Sequence, residues 1–105
     1  MVYVFDVDGT ICSVTFGDYE NAIPFRQRIE VVNKLYEDGN HIYFLTARGM
    51  GRTNNNVQAA KEKWEALTRK QLSDWGVKFH DIYFGKPAGD IYVDDKGISD
   101  KVFFE

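Results

Sequence analysis

The sequence predicts an α/β fold built around a mostly parallel sheet. Short apolar runs rich in β-branched and aromatic residues alternate with stretches of helical periodicity, which is the pattern of strands joined by helical crossovers. No linker or repeat divides the 105 residues, so we expect one domain at 1–105. Polar residues follow directly after the apolar runs, at the strand ends where parallel sheets bind ligands.

The first strand is predicted at Val2 to Phe5, whose continuous apolar character is typical of a strand buried on both faces. Residues 11–23 form a connector. Pro24 fits the first turn of a helix, and apolar residues then recur at three- and four-residue spacing. Gly39 marks the predicted end of this helix.

The second strand is predicted at residues 41–46 (HIYFLT). Residues 47–56 form a loop in which Thr53 or Asn54 can cap the following helix. That helix is predicted from Val57 to Trp75, as one or two pieces.

Two short strands are predicted at residues 81–84 (DIYF) and 90–93 (DIYV), and the tail KVFF is either an edge strand or an apolar plug. The link GKPAG between the two strands has about five residues, whereas a parallel crossover needs about a dozen. The strand order at this end therefore stays open.

Charge and cysteine content narrow the function classes. The chain has 13 basic and 16 acidic residues, a formal net charge of −3, so it lacks the broad basic footprint expected of a nucleic-acid-binding protein. Cys12 is the single cysteine and fits a reducing compartment. The N-terminal apolar run is too short for a signal peptide or a membrane span, so we expect a cytoplasmic protein without membrane contact.

Reactive side chains stand at the ends of all four predicted strands: Asp6 and Asp8, Thr46, Lys86, and Asp94 and Asp95. Two carboxylates this close repel each other unless a cation lies between them. Mg²⁺ takes one or two carboxylates together with phosphate and water, so we expect Asp6, Asp94 and the backbone near Asp8 to be its ligands.

Phosphoryl transfer is the chemistry that this set predicts. Asp6 can attack phosphorus to form an aspartyl-phosphate, and Asp8 can protonate the leaving oxygen and then activate water. Thr46 and Lys86 can contact the phosphoryl oxygens. Asp95 is expected behind these groups, orienting a metal-bound water or the lysine, with a surface turn residue as the alternative.

The motifs DVDGT, LTAR, GKP and YVDD, in that order, resemble the four motifs of the haloacid dehalogenase superfamily of phosphohydrolases. The resemblance spans residues 2 to 95. It implies a Rossmann-like three-layer sandwich, Asp6 as nucleophile, Asp8 as general acid and base, and a Mg²⁺ ion on Asp6, Asp8 and Asp94.

The gaps between the motifs leave no room for the cap domain that many members of this superfamily insert. The chain is similar to small capless phosphatases linked to surface polysaccharide biosynthesis, which implies a small phosphorylated metabolite, such as a sugar phosphate, as substrate. Gly9, Thr10 and Arg48 complete the expected substrate contacts, although a solvated loop arginine explains Arg48 equally well. An open site is also compatible with a homo-oligomer.

Other functions stay open. A nucleotide or polynucleotide end phosphatase is the alternative on substrate. A phospho-accepting receiver domain uses similar residues, but there the acidic pair precedes a lone aspartate on a middle strand, an order this chain does not follow. A non-catalytic binding module is the remaining alternative, although every expected reactive group is present.

Overall fold

The computed structural model describes all 105 residues and contains three strands and three helices. In chain order the elements are β1 (Val2–Phe5), α1 (Arg26–Glu37), β2 (His41–Thr46), α2 (Val57–Asp74), β3 (Asp81–Phe84) and α3 (Asp100–Phe103), with a 3₁₀ turn at Tyr19–Asn21 before α1. The expected strand bounds at β1, β2 and β3 are confirmed, and the long second helix is one piece.

The three strands form a parallel sheet in the order β1-β2-β3. The register aligns Phe5 with Phe44, and Phe44 with Ile82, so the strands end side by side. Because all strands run the same way, their carboxyl ends and the loops that follow share one edge of the sheet. The expected α/β class with a parallel sheet is confirmed.

Both long helices pack on one face of this sheet. Phe5, Phe44 and Ile82 are buried on that face, in a single core with Val32 of α1 and Leu72 of α2. Two successive right-handed crossovers in the same direction place their helices on the same side, which explains the arrangement.

The opposite face of the sheet is open, and the layering differs in this respect from the expected three-layer sandwich. Val2 and Val4 are 64% and 60% exposed, and Tyr83 of β3 is half exposed. The prediction that the first strand is buried on both faces is therefore wrong, because no helix covers its second face.

The predicted fourth strand at residues 90–93 is also wrong. This segment has no regular structure and no sheet partner. The Tyr92 hydroxyl donates to the Pro87 carbonyl at 2.6 Å and accepts from the Gly89 amide at 2.9 Å. The segment is thereby folded back on the short link that precedes it, and a wide groove separates it from β1.

The C-terminal residues form the short helix α3, which acts as the apolar plug rather than an edge strand. Phe103 packs edge-on against Tyr3 and Phe5, with ring centroids 5.9 and 5.5 Å apart. No helix of the protein is both long and apolar enough to cross a membrane.

Candidate active site

A cleft of about 230 Å³ opens at the carboxyl edge of the sheet. Asp6 and Asp8 line it from the end of β1, Ala47 and Arg48 from the end of β2, and Lys86 from the end of β3. Three of the four predicted strand ends therefore meet at one place. The connector after β1 supplies the rest of the wall, together with Tyr92.

Asp6 lies in the charged part of this cleft. One carboxylate oxygen is 3.7 Å from Nζ of Lys86, and the hydroxyl of Thr10 donates to the other at 3.5 Å. Burial raises the pKa of Asp6 above its usual range, with a further increase from Asp8. The charge of Lys86 opposes this shift. Asp6 is a partly desolvated carboxylate with one cationic neighbour, which is the environment of a reactive group.

Asp8 is held by a bidentate ion pair with Arg48. Nε and Nη2 of the guanidinium donate to the two carboxylate oxygens, each at 2.9 Å. Parallel hydrogen bonds of this kind fix orientation as well as adding energy. The thiol of Cys12 also donates to Asp8, at 3.5 Å.

Arg48 itself is buried, with 1% of its surface exposed. Nη1 donates to the Thr68 hydroxyl at 3.1 Å and to the Gln71 side-chain oxygen, both on α2. The ring of Tyr19 lies 4.9 Å from the guanidinium carbon. The interpretation of Arg48 as a solvated loop arginine is therefore wrong. Its donors hold Asp8 and the two α2 side chains, and its contact with a substrate stays a prediction.

Thr46 ends β2 beside the cleft but does not line it. The residue is 1% exposed, and its hydroxyl accepts from the Arg48 amide at 3.1 Å. Its carbonyl accepts from the Lys86 amide at 3.2 Å, which ties the end of β3 to the end of β2. Thr46 therefore joins the loops around the cleft, and its contact with a phosphoryl group stays a prediction.

Gly9 and Thr10 turn the chain after the acidic pair. Gly9 has φ +84°, a conformation that favours glycine, and its amide donates to the Cys12 carbonyl at 2.8 Å. Neither residue lines the cleft, although Thr10 contacts Asp6. In this structure the two residues position the acidic pair, and their contact with a substrate stays a prediction.

Lys86 is the cation that the structure places in the cleft as predicted. Besides Asp6, its ammonium group faces the ring of Tyr92, with 4.4 Å from Nζ to the centroid. A cation over an aromatic face is attracted to it. The ammonium group is therefore held in the cleft, between a carboxylate and an aromatic ring.

Asp94 and Asp95 do not reach Asp6. Both are exposed on the irregular segment, and the Lys96 amide donates to Asp94 at 3.0 Å, which is the main reason that the pKa of Asp94 is lowered. Asp94 and Asp6 border the same wide groove along β1. No group of three or more acidic, histidine or cysteine side chains could hold a metal ion. The predicted Mg²⁺ site on Asp6, Asp8 and Asp94 is not assembled, because the strand that should carry Asp94 is absent. Asp95 does not contact Lys86.

Cys12 is fully buried behind the cleft, as expected for a structural thiol. Burial, followed by the charge of Asp8, raises the pKa of Cys12 to about 12. Its thiol is therefore protonated at neutral pH and is not a nucleophile.

Sequence reasoning missed the polar residues that brace the site: Tyr19, Thr68, Gln71 and Tyr92. Gln71 and Thr68 lie three residues apart on α2, and an amide and a hydroxyl on the buried face of a helix are the signal that could have indicated a buried polar partner. Tyr19 gave no such signal, because its neighbours in sequence are polar and exposed.

Comparison with known proteins shows the fold. The chain superposes on a crystal structure of a structural genomics target from Vibrio cholerae with a TM-score of 0.90 and 26% identity. The match covers 98% of this chain and 86% of the other. No protein-family model matches the sequence, and no curated protein matches it.

Proposed function

We propose that the protein is a phosphatase of the haloacid dehalogenase type that hydrolyses a small phosphomonoester through a phosphorylated Asp6. The observation that carries the proposal is the geometry of the cleft. Asp6 is partly desolvated beside Lys86, and Asp8, two residues further along, is fixed in a bidentate pair with Arg48.

The first half-reaction uses both acids. The substrate binds as its monoanion and passes its proton to Asp8, which gives up one of its two bonds to Arg48 in accepting it. A carboxylate oxygen of Asp6 then attacks phosphorus, the bond between phosphorus and the ester oxygen breaks, and Asp8 gives that proton to the departing oxygen. Lys86 offsets the negative charge of the phosphoryl group in the crowded cleft.

The second half-reaction returns the enzyme to its starting state. Asp8, now a carboxylate, takes a proton from a water molecule as the water attacks the phosphorus of the aspartyl-phosphate. The bond between phosphorus and the Asp6 oxygen breaks, and inorganic phosphate leaves with the proton that Asp8 took from water, which restores the pair between Asp8 and Arg48. Arg48 supports this step because it holds the Asp8 carboxylate in one orientation.

The sequence motifs, and not the geometry of the cleft, are the reason that the proposal includes Mg²⁺. The acidic side chains do not assemble a metal site in this structure. Treatment with a chelator is expected to stop turnover, and adding Mg²⁺ is expected to restore it. Full turnover after chelation would contradict this part of the proposal.

The experiment that tests the function compares two variants of the acidic pair on an aryl phosphate. Asp6→Asn removes the nucleophile and is expected to abolish turnover, while Asp8→Asn is expected to lower it by about 100-fold or more. Asp74→Asn, an exposed aspartate at the end of α2, is the matched control and should keep wild-type activity. Near-normal turnover by a folded Asp6→Asn variant would exclude the proposed function.

A further inference from the structure

We propose that the rim of the cleft binds a second anionic group, on the leaving portion of the substrate, through Arg52, while Phe16 packs against the body of that portion. This inference rests on the proposed function, because the phosphoryl end of the same substrate is assigned to Asp6 and Lys86. It adds a substrate class: phosphomonoesters that carry a carboxylate or a second phosphate.

The wall formed by residues 14–17 presents an aromatic ring to solvent. Phe16 lines the cleft and is 92% exposed. Its backbone has φ +55°, which is unfavourable for a residue with a side chain by about 1–2 kcal/mol. Backbone strain of this kind is common at ligand-binding sites, and Phe16 combines it with an exposed ring on the wall of the cleft, so we assign the ring to contact with the substrate.

Gly17, the next residue, provides room for an arginine. A Cβ atom at this position would lie 2.1 Å from Nη2 of Arg52, so the guanidinium lies directly against the backbone of Gly17. Gly17 also has φ +98° and lines the cleft. The guanidinium of Arg52 is thus placed against the backbone of the cleft wall, one residue from Phe16.

Arg52 differs from every other arginine in the chain. Arg28, Arg48 and Arg69 each form an ion pair with a carboxylate, and Arg26 donates to a backbone carbonyl at 2.9 Å. Arg52 has neither kind of partner, so its donors are available. A planar guanidinium is suited to bind a carboxylate or phosphate through two parallel hydrogen bonds.

The loop that carries Arg52 is held in place. Met50 is buried, the Asn55 amide donates to its carbonyl at 2.7 Å, and the Thr53 hydroxyl donates to the Gly49 carbonyl at 2.8 Å. The side-chain oxygen of Asn55 accepts from the Ala88 amide at 3.1 Å, which joins this loop to the segment after Lys86. The base of the Arg52 side chain is therefore preorganised relative to the cleft.

The test uses substrates that differ in one charge. 4-Carboxyphenyl phosphate carries a carboxylate, and its methyl ester is the uncharged counterpart. Hydroquinone bisphosphate carries a second phosphate in place of the carboxylate. For the wild-type protein we expect kcat/KM to be at least about tenfold higher for one or both charged substrates than for the ester. The charged substrate with the greater advantage identifies the preferred group.

Arg52→Gln is expected to remove this preference and leave turnover of the methyl ester unchanged. Arg69→Gln makes the same chemical change at an exposed arginine paired with Glu65 and Asp81, and should keep the preference. Phe16→Ala is expected to lower kcat/KM for all three aryl substrates and to leave methyl phosphate unaffected.

The two proposals fail in different ways. Equal kcat/KM for the ester and both charged substrates, or a preference that survives Arg52→Gln, would overturn the anion site while hydrolysis itself continues. If no phosphomonoester is hydrolysed, or if Asp6→Asn hydrolyses them all, the proposed function fails and the anion site with it.

Discussion

The ionised side chain of Asp6 is destabilised in the free protein. Its carboxylate is partly desolvated, and the net effect of its surroundings is a raised pKa despite the charge of Lys86 3.7 Å away. A group that is unfavourable for stability and placed in a cleft is typical of a functional site.

Replacement of Asp6 by asparagine is therefore expected to stabilise the protein at pH 7. The pKa of Asp6 is higher in the folded state than its ordinary value of 3.8. As the pH rises past 3.8, the folded protein therefore binds more protons than the unfolded chain does. The free energy of unfolding then decreases with increasing pH. Urea unfolding at pH 7 should show Asp6→Asn to be more stable than wild type. The difference should disappear at about pH 3, where both states are protonated.

The control for this measurement is Asp74→Asn, which should gain no stability at pH 7. An Asp6→Asn variant that is less stable than wild type at pH 7 would mean that the ion pair with Lys86 outweighs desolvation.

Arg48 is expected to matter for stability as well as for catalysis. Arg48→Met leaves Asp8, Thr68 and Gln71 without their partner, and removing one member of a buried ion pair costs about 3 kcal/mol. Urea unfolding measures the loss. Arg69→Met breaks only exposed pairs and should cost about 1 kcal/mol or less. Equal losses in the two variants would contradict the buried network.

The position of a site residue can be predicted from the sequence when the residue directly follows a predicted strand. Asp6 and Lys86 each follow a strand directly, so a correct strand prediction is enough to bring them to one edge. Arg48 lies two residues past β2, and its direction depends on polar partners 20 or more residues away in sequence, which no local pattern reveals.

At the scale of elements, the apolar pattern of the sequence predicts β2, β3 and the extent of α2 well. Each of these elements packs apolar residues into the core. It fails for residues 90–93, whose pattern is equally apolar. There the short link and the hydrogen bond from the Tyr92 hydroxyl to the Pro87 carbonyl fold the chain back on itself. The segment therefore has no strand to pair with.

The start of α2 depends on Asn56, two residues beyond Asn54 and three beyond Thr53, which were the expected caps. The side-chain oxygen of Asn56 accepts from the Ala59 amide at 3.1 Å. Asn56→Ala should lower the free energy of unfolding by about 1 kcal/mol, as measured by urea denaturation. Gln58→Ala, on the exposed side of the first turn, is the control and should change it by less than about 0.5 kcal/mol. A smaller loss for Asn56→Ala than for the control would show that the cap contributes nothing.

At the scale of the whole molecule, the fold is a compact chain with a radius of gyration of 13.2 Å and a sheet covered on one side. Its parallel strands bring three separate parts of the sequence to one edge, where a small cleft combines two acids with two cations. This convergence of Asp6, Asp8, Arg48 and Lys86 is the structural basis of the proposed phosphoryl transfer.

The most direct test of that proposal is to find the phosphoryl group on the protein. Enzyme mixed with excess aryl phosphate and quenched in acid within one turnover should yield a peptide from the N-terminal region that carries one phosphoryl group, located on Asp6 by fragmentation mass spectrometry. The label should be lost at alkaline pH and absent from Asp6→Asn. Turnover by the wild-type enzyme with no phosphorylated Asp6 at any quench time, or a stable label on another residue, would contradict covalent catalysis by Asp6.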